Sequence, residues 1–239
     1  MIALLCSVKA EAEHLLASTT VTGTSTIGSK QFIEGTLAGH PVLLCIGGMG
    51  KVNAAHAATI LSGYNPAVIV IFGIGGAYPS SRAEIGDVVI AKEEIAGDEG
   101  VLTLDGFKDT EYIGIPLLSS STSVIYTTYP ARESLVKHAL QVLLTSLEGD
   151  VHLGTFVTLS TCTGTTARAR ELEERYHGLC ENMEGAAVAH VAELHSIPWI
   201  EMRGISNIVE DRDPKKWDIP SAATAAQQAV LHFLGAWKQ

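Results

Sequence analysis

The chain reads as a single α/β domain, with a central sheet flanked by helices, spanning residues 1–239. Three features lead there. The apolar runs 2–7, 42–46 and 67–72 carry no charge at all, as strands covered on both faces do. Each hands over within a few residues to a glycine-rich or helical stretch, the order expected of strands joined by helices. Near the end, Ala222, Ala225, Ala226, Ala229, Val230 and Phe233 recur at helical spacing and form one core-facing stripe. No internal repeat and no linker divides the chain.

The first run, 2–7, is expected as a central strand, and residues 9–16 as a helix with Glu11 in its first turn. Residues 31–37 alternate in the manner of a strand, and Ala38-Gly39-His40-Pro41 turns into the second run. Gly47-Gly48-Met49-Gly50-Lys51-Val52-Asn53 is a glycine loop that feeds a helix at 54–61. The third run ends in Gly73-Ile74-Gly75-Gly76-Ala77-Tyr78-Pro79, expected as a second glycine loop, and Gly86-Asp87 opens a strand at 88–91. The segment 97–130 carries the weakest pattern, mixing acidic residues, Gly114, Pro116 and a Ser/Thr run. Beyond it lie a helix at 131–146, a strand at 155–160, a charged helix at 167–176, and a last strand at 199–206 before the striped helix.

Composition narrows the function. Hydrophobic residues make up 46% of the 239 positions against 18% charged, which describes a packed globule. Sixteen Lys and Arg against 26 Asp and Glu leave a formal charge of −10, and a general nucleic-acid binder needs a basic face instead. The four cysteines, Cys6, Cys45, Cys162 and Cys180, form no CxxC pair, so neither a zinc site nor a redox motif is signalled. Free thiols in a reducing compartment are the expectation. The apolar start is too short for a membrane span and lacks the basic lead-in of a signal peptide. A cytoplasmic protein with no membrane partner is expected.

The most informative stretch is Glu181-Asn182-Met183-Glu184, an acidic knot opening into an Ala/Val-rich helix. Carboxylates near a helix start sit at the positive end of its dipole and are favoured there. Plain helix capping explains the same residues equally well. The strand at 199–206 runs out into Ser206-Asn207, so two polar clusters can meet at one mouth of the sheet. The glycine loops let a ligand or another backbone approach closely. Neither is a dinucleotide fingerprint or a phosphate loop.

Taken together, Glu11, Gly48-Met49-Gly50-Lys51-Val52-Asn53, Gly73-Ile74-Gly75-Gly76-Ala77, Ile85-Gly86-Asp87-Val88-Val89, Asn182-Met183-Glu184-Gly185 and Arg203-Gly204-Ile205-Ser206-Asn207 resemble the nucleoside phosphorylase/nucleosidase superfamily along essentially the whole chain. Within it the likeness is greatest to the futalosine-hydrolysing branch, carried by Gly75 to Pro79, Ser160-Thr161-Cys162-Thr163-Gly164 and Trp217-Asp218-Ile219-Pro220. The resemblance implies a mixed central sheet, no cofactor and no metal. It also implies a homodimer or higher homo-oligomer, a small purine nucleoside as ligand, and no nucleic-acid partner.

It further implies roles for named residues. Superfamily phosphorylases carry an arginine and a serine where this chain has Ile71 and Ile74. An aliphatic pair leaves phosphate desolvated at a cost of about several kcal/mol, so water is the implied nucleophile. Adenine-specific members end the last strand in Ser-Asp; here it ends in Ser206-Asn207. An amide offers donors to the N7 and O6 acceptors of a 6-oxopurine, which implies hypoxanthine as the leaving base. Met183 packs under the ribose and Glu184 accepts from its 2′-OH. Glu11 is the implied general base, with Glu13 the substitute if Glu11 proves dispensable. Ile74, Gly75, Gly76, Thr163, Asn182, Arg203, Ser206 and Trp217 complete the implied binding set. Arg203 serves either the ligand or the orientation of the carboxylates, and Trp217 either an aryl pocket or packing.

The cation for the substrate's aryl carboxylate is open among Lys9, Lys51, Arg82, Arg212 and Lys215. Two other activities remain in play: a nucleosidase for methylthioadenosine or S-adenosylhomocysteine, and a purine nucleoside phosphorylase. A non-catalytic nucleoside-binding protein is the reading from a different class.

Overall fold

The computed structural model describes residues 1–120 and 123–238; two positions of the Ser/Thr run, 121 and 122, lie outside the described residues. In chain order the elements are β1 (Ile2–Cys6), a 3-10 turn (Lys9–Glu11), α1 (Glu13–Ser18), β2 (Thr20–Ile27), β3 (Lys30–Leu37), β4 (His40–Ile46), α2 (Lys51–Ser62), β5 (Ile69–Ala77) and β6 (Val88–Ala96). The weakly patterned segment folds as β7 (Gly100–Thr103), β8 (Gly106–Asp109), α3 (Thr110–Ile113), β9 (Leu118–Ser119), β10 (Val124–Ile125) and β11 (Thr128–Pro130). Then follow α4 (Glu133–Ser146), β12 (Val151–Thr158), α5 (Thr166–Tyr176), β13 (Gly178–Asn182), α6 (Gly185–Leu194), β14 (Trp199–Ile208) and α7 (Ile219–Gly235).

Among the described residues these strands build one ten-stranded mixed sheet in the order β11-β6-β12-β13-β5-β1-β4-β3-β2, with β14 joining β5 to β6. β14 runs parallel to β5 and antiparallel to β6, and β12 runs parallel to both β6 and β13. β13 returns antiparallel to the end of β5 at Cys180 and Glu181. Strands β5, β14, β6, β12 and β13 therefore close on themselves as a small distorted barrel, and β1, β4, β3 and β2 extend from its side. β5 is shared: Ile69 to Ile71 pair with β1, whereas Gly76 and Ala77 pair with β13.

Helices cover both faces. Ala54, Ala57, Ala58 and Leu61 of α2 and Val188, Ala189, Val191 and Ala192 of α6 belong to one buried cluster with β1 and β5. Val136, Ala139 and Leu143 of α4 and Ala229, Val230 and Phe233 of α7 belong to the other. The striped C-terminal helix is thus α7, packed on β14 and β5. The four cysteines are free, three of them buried.

Three elements differ from expectation. The helix expected at 9–16 is a tight 3-10 turn followed by a short α1, because Ala12 departs from helical geometry at ψ 0°. The second glycine loop is no loop: β5 continues through Gly73, Gly75 and Gly76 to Ala77. Glu181 and Asn182 end a strand, and α6 begins only at Gly185 with Glu184 as its N-cap residue. Glycine and polar residues inside a strand imitate a loop in sequence; the partner strand that pairs them is distant in the chain.

Candidate active site

The cleft opens where β1, β5, β13 and β14 end. Beyond β1 the 3-10 turn folds Glu11 back on the strand, and Glu11 Oε2 accepts from the Ser7 and Val8 amides at 2.9 and 3.0 Å. Glu11 Oε1 accepts from the Ile74 amide at 2.9 Å. A side chain at Gly73 would overlap this carboxyl group, so the glycine is what lets Glu11 lie against β5. Three amides on two elements leave the carboxyl group little freedom.

Glu184 enters from the start of α6. Its Oε1 accepts from the Gly50 amide at 2.8 Å, and Gly50 stands at φ 91°, a left-handed geometry suited to glycine. The helix start is capped from behind: Asn182 Oδ1 accepts from the amides of Glu184 and Gly185 at 2.9 and 2.7 Å. Between the two glutamates lies Arg203, only 2% exposed. It donates through Nε to Glu201 at 2.6 Å and through Nη1 to the Ile74 carbonyl at 2.8 Å, with Nη2 3.5 Å from Glu184 Oε2. Burial works against its charge, but Glu201, Glu184 and Glu11 outweigh that and hold its pKa above the ordinary arginine value.

At the other end, Ser206 Oγ donates to Asn207 Oδ1 at 2.8 Å, and Asn207 Nδ2 donates to the Ile208 carbonyl at 3.1 Å. One amide hydrogen of Asn207 stays available for a ligand. Asn207 and Glu181 face each other across Gly76, with which both strands are in register.

A cleft of about 270 Å³ collects Glu11, Ile74, Gly75, Gly76, Asn182, Met183, Glu184, Arg203, Ser206, Asn207 and Trp217. Thr163 is not among its lining residues. It lines a smaller adjoining pocket with Asn207, Arg212 and Trp217, and its amide donates to Glu181 Oε1 at 2.8 Å. Ile71 is core rather than lining.

The structure adds two residues the sequence did not single out, and gives a place to two that it named without a role in the cleft. Ser7 and Val8 line the cleft because they flank the turn that carries Glu11. Glu181 lines it too, held by the Tyr78 hydroxyl at 3.2 Å, and burial pushes its pKa upward. Arg212 is the one of the five open cations that lines the cleft. Its guanidinium lies 4.4 Å from the Trp217 ring centroid and donates to Cys162 Sγ at 3.3 Å. Lys51 is engaged elsewhere, by Asp98 at 2.7 Å and Glu99 at 3.0 Å. Of groups able to hold a metal, Asp87, Asp150 and His152 approach one another, and none of them lines the cleft.

The fold has known counterparts. The phosphorylase superfamily model matches residues 1–235, and the chain belongs to that superfamily. Among its relatives, the futalosine hydrolase of Streptomyces coelicolor is 34% identical over 205 residues, covering 82% of this chain and 80% of that protein. A 5′-methylthioadenosine/S-adenosylhomocysteine nucleosidase of Mycobacterium bovis is 28% identical, covering 87% of this chain and 85% of its own length. The crystal structure of the corresponding Neisseria meningitidis nucleosidase, in complex with methylthio-immucillin-A, superposes with a TM-score of 0.86 at 21% identity, covering 99% of both chains.

Proposed function

We propose that the protein hydrolyses the N-glycosidic bond of a purine nucleoside, and that its substrate is futalosine, releasing hypoxanthine. The observation that carries the reading is that Glu11 and Glu184 are both fixed by backbone amides in one cleft, with the Ser206-Asn207 amide at its far end. The bond between C1′ of the ribose and N9 of the base breaks as water adds to C1′. Glu11 takes the proton from that water. Glu184 accepts from the 2′-OH, and its charge favours the cation developing on the sugar more than the neutral ground state. The electron pair leaves with the purine, and the free Asn207 N–H stabilises it at N7; the base then takes a proton from solvent.

Two further observations support hydrolysis of a 6-oxopurine nucleoside. Arg203, the cation between the glutamates, is engaged by Glu201 and the Ile74 carbonyl and lies 3.5 Å from Glu184, and these carboxylates compete with phosphate for its charge. Asn207 offers an amide N–H to the acceptors of a 6-oxopurine, where the carboxylate of adenine-specific members would repel O6. The Streptomyces coelicolor relative supports futalosine, while the Mycobacterium bovis relative keeps methylthioadenosine or S-adenosylhomocysteine as a second reading. We also propose a cytoplasmic homo-oligomer. Met49, Val52, Leu102, Leu104 and Ile115 are exposed, an apolar set that a partner subunit would cover.

The test is an incubation of the pure protein with futalosine, aminodeoxyfutalosine, methylthioadenosine and inosine, with and without phosphate, identifying the released base. Hypoxanthine from futalosine at a phosphate-independent rate is expected. Adenine as the preferred product, or strict phosphate dependence, rejects the proposal. Asn207→Asp should move preference toward 6-aminopurines in the same assay.

A further inference from the structure

Behind the cleft lie two carboxyl groups that the proposed chemistry does not touch. Glu94 on β6 and Glu201 on β14 are both 0% exposed. Glu94 Oε1 accepts from Asn182 Nδ2 at 2.6 Å, and Oε2 accepts from Thr158 Oγ1 at 2.7 Å. Glu201 Oε1 accepts from Arg203 at 2.6 Å, but its buried Oε2 finds no donor among the described residues when both carboxyl groups are ionised. The two side chains are within hydrogen-bonding reach of each other. Glu94 Oε1 and Glu201 Oε2 flank the point where a side chain on Gly185 would stand.

Two carboxylates have no proton to put between them, and a buried acceptor without a donor is costly. The cation at the pair is Arg203, so two ionised carboxylates would leave an uncompensated buried charge. We infer that Glu94 and Glu201 hold one proton between them, carried on Glu94 Oε1 and donated to Glu201 Oε2, and that this acid–carboxylate pair is the positioning unit of the cleft.

The unit reaches the site along two arms. The Glu201 carboxylate holds Arg203, which contacts the Ile74 carbonyl beside Glu11 and approaches Glu184. The neutral Glu94 acid receives Asn182, whose own oxygen holds the Glu184 and Gly185 amides. Burial pushes the Glu94 acid well above the usual carboxylate range and the Glu201 charge adds to that, against smaller opposite effects of Thr158 and Arg203. The groups facing Glu94 are Glu201 and Arg203 from β14, with Thr158 from β12, Asn182 from β13 and the buried thiol of Cys180, also on β13, which burial keeps protonated. Tyr129 on β11, paired with Glu94 in register, turns its hydroxyl to His190 of α6 at 2.7 Å.

A folded acid raised above its unfolded value keeps a proton that the unfolded chain releases above pH ~4.3. Its contribution to stability is therefore whole below that pH and fades as pH rises toward the folded value, by about tenfold in the folding constant per pH unit. Glu94→Gln turns a permanent N–H donor toward Glu201 Oε2, gives up the bond that Oε1 accepts from Asn182, and removes that dependence on pH. Substrate-free urea unfolding of both proteins between pH 5 and 8 should show the wild-type folding constant falling about tenfold more per pH unit than that of Glu94→Gln. Parallel curves, or a Glu94→Gln protein that does not fold, overturn the inference.

Infrared spectroscopy gives an independent reading on the wild type. A protonated-carboxyl band at neutral pH, lost in Glu94→Gln, is expected; its absence from the wild type overturns the shared proton. The positioning role rests on the proposed function and is read in turnover. Glu94→Ala should lower kcat about tenfold to a hundredfold with little change in KM, and Glu94→Gln, which restores the donor to Glu201 but not the acceptor for Asn182, should restore part of it. No rescue by the amide overturns that role. If the wild type cleaves no nucleoside the proposed function falls, while unfolding and infrared still decide the proton.

Discussion

Three backbone amides converge on the Glu11 carboxylate, from Ser7, Val8 and Ile74, and their convergence sets what a substitution there does. Glu11→Gln keeps the shape of the group but removes the base and turns its amide nitrogen toward an N–H donor. Turnover in steady-state assays should fall about 10²- to 10⁴-fold, with binding of a nucleoside analogue by calorimetry nearly unchanged. A variant that keeps most of its activity moves the base to Glu13. Glu11, Glu184 and Asn207 were legible as residue types worth watching, whereas the contacts that define them were not. Gly50, Ile74 and Ser7 serve through main-chain amides, and a main-chain amide leaves no mark in the identity of its residue. Arg212 was visible as one cation among five, and only its seat on Trp217 in the cleft separates it from Lys51, which two acidic groups hold.

The elements explain why the glycines sit where they do. β5 carries glycine at Gly73, where Glu11 lies against the strand, and at Gly75, where Cys180 and Arg203 crowd in. α6 starts on Gly185 because a Cβ there would overlap both Glu94 and Glu201, neither of which can retreat. Gly185→Ala should destabilise the protein by about 2 kcal/mol or more in urea unfolding, as overpacking of a buried site does. Gly149, with open space around it, is the control: Gly149→Ala should stay within about 0.5 kcal/mol. Equal effects at the two sites would remove the packing argument. The apolar strands β1, β4 and β5 and the stripe of α7 were readable because burial on both faces, or along one stripe, writes a period into the residues. The strand identity of the glycine run, and of Glu181 and Asn182, was not readable. A strand without apolar residues is held by its neighbours, and those neighbours are far off in the chain.

For the molecule as a whole, the ring of β5, β14, β6, β12 and β13 brings the ends of three strands and the turn after β1 to one mouth. The exposed Leu102 and Leu104 of the β7–β8 hairpin and its turn stand outside that closed body. Leu102→Glu combined with Leu104→Glu should lower the mass measured by light scattering if they lie in a subunit contact. An unchanged mass places the contact elsewhere or leaves the protein monomeric.

From residue order alone came the α/β architecture, the single domain, the superfamily likeness and the polar residues that belong to its cleft. Those properties are carried by side-chain identity and short-range period, which a sequence displays directly. Tertiary structure alone decided that β5 runs on through its glycines, that Thr163 lines an adjoining pocket rather than the cleft, that Arg212 lines the cleft, and that Glu94 meets Glu201 beneath Gly185. Each depends on two segments distant in the chain being pressed together in a dry interior, where a partner's distance, not its spacing in sequence, sets the energy.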